Sequence, residues 1–288
     1  MPSIFAHVTG KCFHLFPAVL GMTAVAMATL STTLLAHDFW IVPDAFQVAA
    51  GAPFAIRGQS GSKFPSSASA TAPDRVAEAR VIGGASDEAI RDLTVSGTSL
   101  LLQHRPTGAG QRVIAVALTE RRSRVAPAQL KRYIAIEGAP ELAERYERDG
   151  RYPTDSITQV TAKFAKTTVE IGKGGPRAFA TRAGHPLELL ALNDPAAVAV
   201  GDTLRVQLLY RGKAVGGVHL RAGTAPAAAG ASSQTSDAVI ETGTDGVARL
   251  VVRAGGLWNI RTLYAAPRAD DSTTWELYFA TLVFQVGR

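Results

Sequence analysis

The stretch Thr203-Leu-Arg-Val-Gln-Leu-Leu-Tyr210 alternates apolar and polar side chains. Successive side chains of a strand point to opposite faces. Leu204, Val206 and Leu208 therefore share one face, and the polar residues between them share the other. This alternation is typical of a strand that is buried on one side only. We predict a strand over residues 203–210, followed by a turn at 211–213.

The rest of the C-terminal half repeats this pattern at short intervals. Turn sequences such as Thr244-Asp-Gly246 and Gly255-Gly256 separate the apolar runs. About seven short strands with turns at this spacing are typical of an antiparallel β-sandwich. We predict a mainly β protein of two β-rich domains, in which the C-terminal domain is an Ig-like or prealbumin-like antiparallel β-sandwich. Its predicted strands cover residues 186–192, 203–210, 218–221, 239–242, 247–252, 257–264 and 275–286.

Helix signals interrupt the strands in the middle of the chain. Pro127 and Pro140 each begin a helical segment, which Gly138 and Gly150 end, because proline favours the first turn of a helix and glycine the position past its end. Earlier strands are predicted at 48–58, 77–82, 100–104 and 112–118. The predicted organisation is a signal peptide at 1–36, an N-terminal β-rich domain at 37–172 with a helical segment at 127–150, a linker at 173–184, and a C-terminal sandwich at 185–288 that folds alone.

The N-terminal segment has the pattern of a secretory signal. Lys11 precedes a run of small and apolar residues from 16 to 35, and Ala36 stands where a signal peptidase prefers a small residue. Cleavage after Ala36 would start the mature chain at His37, in the periplasm or otherwise outside the cytoplasm. Two alternatives stay open. Cleavage could follow Ala28, or the segment could remain as an anchor, since a membrane span needs about 20 apolar residues.

The composition and the absent motifs exclude several classes of function. The chain has 30 Lys and Arg against 24 Asp and Glu among its 288 residues. The sharpest basic cluster, at 121–124, has no interleaved aromatic residues, so we expect no nucleic-acid binding. The single cysteine, Cys12, lies within the predicted signal, which excludes thiolate metal sites and disulfides from the mature chain. The sequence has no P-loop, dinucleotide fingerprint, H-E-x-x-H motif or catalytic triad. We therefore expect a protein that is not an enzyme.

A mature chain that begins at His37 would carry a metal-binding group at its terminus. The α-amine and the imidazole Nδ1 are nitrogen donors that suit nickel, copper or zinc. A free α-amine has a pKa of about 8 and must lose its proton to coordinate, so metal affinity should fall below neutral pH. The alternative is an ordinary terminal histidine that binds metal without a function.

Other residues could complete the coordination. Asp38 could ligate the metal, cap a turn or orient the imidazole. His219 lies on the outer face of a predicted strand, and Glu276 lies in the last strand; for each, the alternative is a solvent-exposed polar residue. His185 and His104 are the other histidines of the mature chain. The predicted metal ligands are His37, Asp38, His219 and Glu276.

A series of short motifs follows in a specific order along the mature chain. The first is His37-Asp-Phe-Trp-Ile-Val-Pro43, directly after the predicted signal. The others are Leu130–Gly138, Thr161–Lys166, Asn193–Pro195, Gly201–Leu204, Gly212–Gly217, Thr244–Gly246, Gly256–Arg261 and Trp275–Leu282. Together they resemble a bacterial exported domain-of-unknown-function family, family 4198, to which a role as the periplasmic component of nickel or cobalt uptake is often assigned. One departure is Tyr264, near the place where such proteins often carry a histidine.

The resemblance implies an exported protein that binds a divalent transition metal and passes it to a metal transporter in the inner membrane. Nickel or cobalt is the implied metal, with copper and zinc as further candidates. One rival is an envelope carbohydrate- or protein-binding module, because the C-terminal motifs also resemble prealbumin-like modules. A second rival is a copper oxidoreductase with an N-terminal histidine brace, which requires a second histidine in fixed geometry.

Overall fold

The secondary structure is mainly β. The computed structural model describes residues 38–83, 87–225 and 238–287, and within them lie eighteen strands and two α-helices. The helices are α1 (Pro127–Ile136) and α2 (Pro140–Arg148). The strands are β1 (Asp38–Pro43), β2 (Gln47–Val48), β3 (Phe54–Gly61), β4 (Val76–Ile82), β5 (Glu88–Ala89), β6 (Asp92–Ser96), β7 (Ser99–His104), β8 (Gly110–Leu118), β9 (Arg121–Val125), β10 (Ile157–Ile171), β11 (Leu187–Ala191), β12 (Thr203–Tyr210), β13 (Lys213–Ala214), β14 (His219–Ala225), β15 (Ala238–Glu241), β16 (Val247–Val251), β17 (Gly256–Pro267) and β18 (Thr274–Val286).

The strands form three sheets. The largest has ten strands, in the order β15-β14-β17-β18-β10-β8-β4-β5, and β2 and β9 also pair with β10. One four-stranded sheet has the order β1-β3-β7-β6, and the other contains β11, β12, β13 and β16. Most pairings are antiparallel, whereas β10 pairs in parallel with β18 and with β2. Each small sheet packs its apolar face on one half of the large sheet.

The C-terminal strands form the predicted antiparallel sandwich. Leu204, Val206 and Leu208 of β12 are fully buried, and the residues between them are more exposed. Their face packs against the large sheet in one continuous apolar cluster. The alternation at 203–210 therefore predicts both the strand and the side that it buries. The members that β17 and β18 contribute to this cluster are Trp258, Ile260, Leu263, Ala265, Trp275, Leu277, Tyr278, Phe279, Ala280, Leu282, Phe284 and Val286.

The strand β10 connects the N-terminal and C-terminal halves. Residues 158–167 pair in parallel with residues 274–283 of β18, and residues 168–171 pair antiparallel with β8. The large sheet therefore runs without a break across the predicted division between domains. All of the described residues belong to one compact unit. Independent folding of residues 185–288 stays a prediction.

The two helices form where the Pro and Gly signals predict them, but they pack against the C-terminal strands. Leu130, Ile134 and Leu142 are fully buried in the same cluster as the core of β17 and β18. The Tyr146 ring lies 4.9 Å from the Trp275 ring, measured between ring centroids. The helical segment was expected within the N-terminal domain. Its apolar face instead covers the end of the C-terminal sandwich.

The predicted linker is also packed. The Gln111 side-chain oxygen accepts hydrogen bonds from the backbone N–H of Ala178 (3.0 Å) and of Phe179 (2.7 Å). Ala178 and Ala183 are buried against β4 and β8. The glycine-rich composition of residues 172–176 therefore marks a change of direction within the unit rather than an exposed connection.

Strand β1 fixes the start of the described chain in the core. Residues 39–41 are at most 1% exposed, and the Trp40 ring meets the Phe64 ring edge-on at 5.5 Å. The Thr281 hydroxyl donates to the Phe39 carbonyl oxygen at 2.8 Å. Asp38 is thereby held beside the large sheet. Phe64 lies in the Ser-, Ala- and Pro-rich segment at 61–73, which therefore also contributes to the core.

One local prediction needs correction. The strand predicted at 48–58 is divided, because a turn at 49–53 with Gly51 at φ +73° separates β2 from β3. The arginine cluster at 121–124 forms the exposed strand β9, which pairs with β10. The predicted signal peptide, both cleavage positions and His37 lie outside the described residues. In the part of the chain that the structure describes, no helix is long and apolar enough to cross a membrane.

A fragment of residues 184–288 should unfold at a lower temperature than the whole mature chain. It loses the pairing of β10 with β18 and the apolar cover that α1 and α2 provide, and buried apolar surface is the main favourable contribution to folding. Thermal unfolding followed by near-ultraviolet circular dichroism measures the difference. A fragment as stable as the whole chain would show that residues 173–184 separate independent domains.

Candidate functional site

A small pocket, open to solvent, lies where β1, the end of α1, β14, β17 and β18 meet. It combines residues from both ends and the middle of the chain, including two of the predicted metal ligands. The lining residues are Asp38, Glu137, Gly138, His219, Arg221, Arg261, Thr262, Leu263 and Phe279.

The polar residues of β14 reach the pocket because the strand alternates. Val218 and Leu220 are fully buried, so His219 and Arg221 lie on the opposite face. The sequence predicts this placement of His219. On the neighbouring strand β17, Arg261 pairs across from Arg221.

Asp38 enters the pocket from β1. Its Oδ2 lies 2.9 Å from Arg261 Nε, and both side chains are mostly buried. A charge-assisted pair of this kind fixes the carboxylate in position. The burial of residues 39 and 40 and the pair with Arg261 therefore hold Asp38 at the pocket from two sides.

His219 is oriented by a carboxylate of α2. His219 Nδ1 lies 3.0 Å from Glu141 Oε2, and the His219 backbone N–H donates to Glu141 Oε1 at 3.3 Å. The two atoms are within ion-pair distance but do not have hydrogen-bond geometry, so this contact positions the imidazole without fixing its tautomer. The same carboxylate–histidine arrangement commonly supports an imidazole that binds a metal.

Glu137 adds a second carboxyl group at the end of α1. Burial, reinforced by the charge of Asp38, raises the pKa of Glu137 to about 8, although Lys163 and Arg261 oppose this shift. The carboxyl group therefore holds a proton near neutral pH. Burial also lowers the pKa of Lys163, against the opposing charges of Asp38 and Glu137. These side chains offer oxygen and nitrogen donors once they release their protons.

Glu276 does not line this pocket. Its side chain is fully buried and accepts hydrogen bonds from Tyr210 (2.5 Å), Arg211 (2.5 Å) and Arg268 (3.0 Å). Burial alone would raise the pKa of Glu276, but these bonds and the arginine charges lower it. The sequence suggested that Glu276 is either a metal ligand beside His219 or a surface charge. Its buried position away from the pocket agrees with neither interpretation. Glu276 holds the Arg211 turn and Arg268 to the sandwich.

His185 and His104 also lie apart from the pocket. His185 is 5% exposed and its ring centroid lies 5.1 Å from that of Phe164. Neither of its ring nitrogens has a hydrogen-bond partner among the described residues. His104 Nε2 lies 3.1 Å from Glu88 Oε2.

The pocket unites Asp38 and His219 but not the whole predicted set of ligands. In the described ranges, no group of three or more His, Cys, Asp and Glu side chains is placed to hold a metal ion. Sequence reasoning missed Glu137, Gly138 and Arg261 as pocket residues. The motifs at 130–138 and 256–261 contain all three residues. The presence of these motifs was therefore the only sequence feature that could have identified them as pocket residues.

The fold and the pocket define a mainly β protein in which an N-terminal strand brings a carboxylate to a histidine of the C-terminal sandwich. The chain belongs to the family described as Domain of unknown function (DUF4198), whose model matches residues 34–266. No curated protein matches the chain in sequence.

Solved structures that resemble the chain are distant from it. The D0-D1 domain of intimin is 14% identical, with 86% of this chain and 98% of that chain covered and a TM-score of 0.20. The Escherichia coli adhesin FdeC is 14% identical, with 86% and 63% covered and a TM-score of 0.21. An Escherichia coli alpha-2-macroglobulin is 8% identical, with 88% and 16% covered and a TM-score of 0.21. Likenesses at these TM-scores carry no argument about function.

Replacement of His185 should change the pH dependence of stability. Burial lowers the pKa of His185 to about 4; Glu188 opposes the shift, and Lys166 and Arg80 add to it. The unfolded imidazole, with a pKa of about 6.5, takes up its proton first, so stability is lost as the pH falls from about 6.5 to 4. His185→Phe keeps a ring against Phe164 and removes the titrating group.

The variant should therefore avoid a loss of about 2 kcal/mol in the free energy of unfolding at about pH 5. Urea unfolding of both proteins at about pH 7 and about pH 5 measures this difference, and carboxylates that titrate in both proteins cancel. Equal losses between the two pH values would show that His185 is not the titrating group.

Proposed function

We propose that this chain is an exported binding protein, not an enzyme, that holds a divalent transition metal at the pocket. The metal is nickel or cobalt, with copper and zinc as further candidates. One observation carries the proposal. Asp38 and His219, far apart in sequence, line the same pocket, and His37 immediately precedes Asp38 in the chain.

The position of Asp38 supports His37 as the anchoring ligand. Consecutive Cα atoms are about 3.8 Å apart, so a chain that starts at His37 would begin one residue from Asp38, within reach of the pocket for its α-amine and imidazole. These two nitrogens, the Asp38 carboxylate and His219 Nε2 make a mixed nitrogen and oxygen set. Nickel, cobalt, copper and zinc all accept such ligands.

The neighbouring carboxyl groups support the same assignment. Glu141 Oε2 lies 3.0 Å from His219 Nδ1, and Nε2 is the ring nitrogen that we assign to the metal. Glu137 carries a proton near neutral pH because its pKa is raised to about 8, and an incoming cation would displace that proton. Binding is therefore coupled to proton release from the amine and from Glu137. A site of this kind loads at neutral or higher pH and releases its metal in acid.

The proposed role is delivery to a metal transporter of the inner membrane, from the periplasmic side. The signal-like sequence of residues 1–36 supports export. Cleavage after Ala36 would place the chain terminus one residue before Asp38, so removal of the export signal would also create the proposed amine ligand.

Extension of the mature chain by one Ala before His37 should weaken nickel binding roughly tenfold or more, because loss of a direct ligand should exceed the effect of losing a supporting residue. The extension converts the amine of His37 to an amide, which is a poor donor unless it loses its proton. Calorimetric titration of both forms at one pH measures the affinities. Equal affinities would remove the terminal amine from the site.

Replacement of His219 tests the pocket independently of the terminus. His219→Gln should lower nickel affinity by roughly tenfold or more, since it removes a nitrogen ligand. His104→Gln is the matched control, because His104 also lies beside a carboxylate, Glu88, but away from the pocket. If His104→Gln weakens nickel binding and His219→Gln does not, the metal binds outside the pocket.

A further inference from the structure

Two arginines face each other across neighbouring strands at the pocket. Arg221 of β14 pairs with Arg261 of β17, and both line the pocket. Like charges directly opposite each other on a sheet destabilise it. Each guanidinium therefore needs a negatively charged partner.

Among the described residues, a carboxylate lies within ion-pair distance of only one of the two. Asp38 Oδ2 lies 2.9 Å from Arg261 Nε. Arg221 Nε is buried and has no hydrogen-bond partner among the described residues. Buried donors of charged groups are normally satisfied, so an acceptor such as an ordered water or a bound anion is expected at this N–H.

The surroundings of Arg221 are shaped to hold its guanidinium. Gly138 follows α1 with φ at +83°, and a Cβ at that position would collide with the guanidinium of Arg221. A glycine at 138 thus gives the planar group its place against the backbone at the end of α1. The side chain is positioned by packing, which lowers the entropy lost when it binds a ligand.

We propose that the pocket binds a small oxyanion of the carboxylate type, held by Arg221 with Arg261 beside it. A planar carboxylate can accept two parallel hydrogen bonds from one guanidinium. The pocket encloses little more than the space of one water and is open to solvent, so a small ion such as acetate, formate or bicarbonate would present its oxygens to Arg221 from the mouth.

The oxyanion site stands without a metal, but the two would assist each other. A divalent cation beside Asp38 also meets the positive charges of Arg221 and Arg261, and an anion between them would offset this repulsion. A cooperative form of the proposal, in which acetate strengthens nickel binding, rests on the proposed function.

The test uses the mature chain from His37, freed of metal by a chelator and dialysis. Titration with ¹³C-acetate, followed by NMR line broadening at constant ionic strength, should show saturable binding. Arg221→Gln should weaken it roughly tenfold or more, as expected for the loss of a charge-assisted hydrogen bond. Arg249→Gln is the matched control, because Arg249 also faces an arginine, Arg205, across neighbouring strands, but is exposed.

A second variant guards against simple loss of folding. Arg221→Lys keeps the charge and lacks the planar fork, so it should bind acetate more weakly than the wild type. Titration with ¹³C-bicarbonate compares the affinity for bicarbonate with the affinity for acetate. The ion that binds more tightly is the better candidate for the natural ligand. Absence of saturable binding of either ion, or equal loss in Arg221→Gln and Arg249→Gln, would overturn the proposal.

Nickel titrations with and without acetate separate this proposal from the proposed function. Acetate binding that depends on Arg221 supports the oxyanion site even if nickel does not bind, and the metal function alone then fails. Nickel binding that depends on His219, together with no binding of acetate or bicarbonate, overturns the oxyanion site alone.

Discussion

The parallel pairing of β10 with β18 is the constraint on which the rest of the structure depends. Ten residues of each strand are in register, and this alignment makes one sheet from strands that are distant in sequence. The sheet supplies the surface on which both small sheets, the two helices and β1 pack. The pocket exists because that surface brings β1 and the end of α1 next to the neighbouring strands β14 and β17. The chemistry of the site is therefore a product of long-range packing.

At two other places, the chain satisfies buried charges with its own side chains and backbone. Lys166 of β10 lies 2.5 Å from Glu188 of β11, and Glu188 also accepts from the backbone N–H of Ala183 and Gly184. Glu276 is satisfied by Tyr210 and two arginines. A buried ion pair is tolerated only when hydrogen bonds complete it. The pocket differs from these clusters, since Arg221 Nε has no such partner among the described residues.

The sequence predicts features that depend on neighbouring residues. The alternation at 203–210 predicts β12, proline and glycine predict both helices, and the apolar Val218 and Leu220 predict that His219 faces outward. The parallel pairing of β10 with β18 and the packing of the helices on the C-terminal half depend on contacts between distant segments, so local patterns do not contain them. Glu276 illustrates the limit, because its three partners come from two other segments of the chain and only the fold brings them together.

The central claim is that the pocket holds a metal between the N-terminal residues and His219. Anomalous diffraction at the nickel absorption edge, from crystals of the mature chain grown with nickel, locates the metal directly. The account predicts one strong peak bounded by Asp38, Glu137 and His219, with the terminal amine among its ligands. A peak at an exposed histidine outside the pocket, or no ordered peak at a saturating nickel concentration, would contradict it.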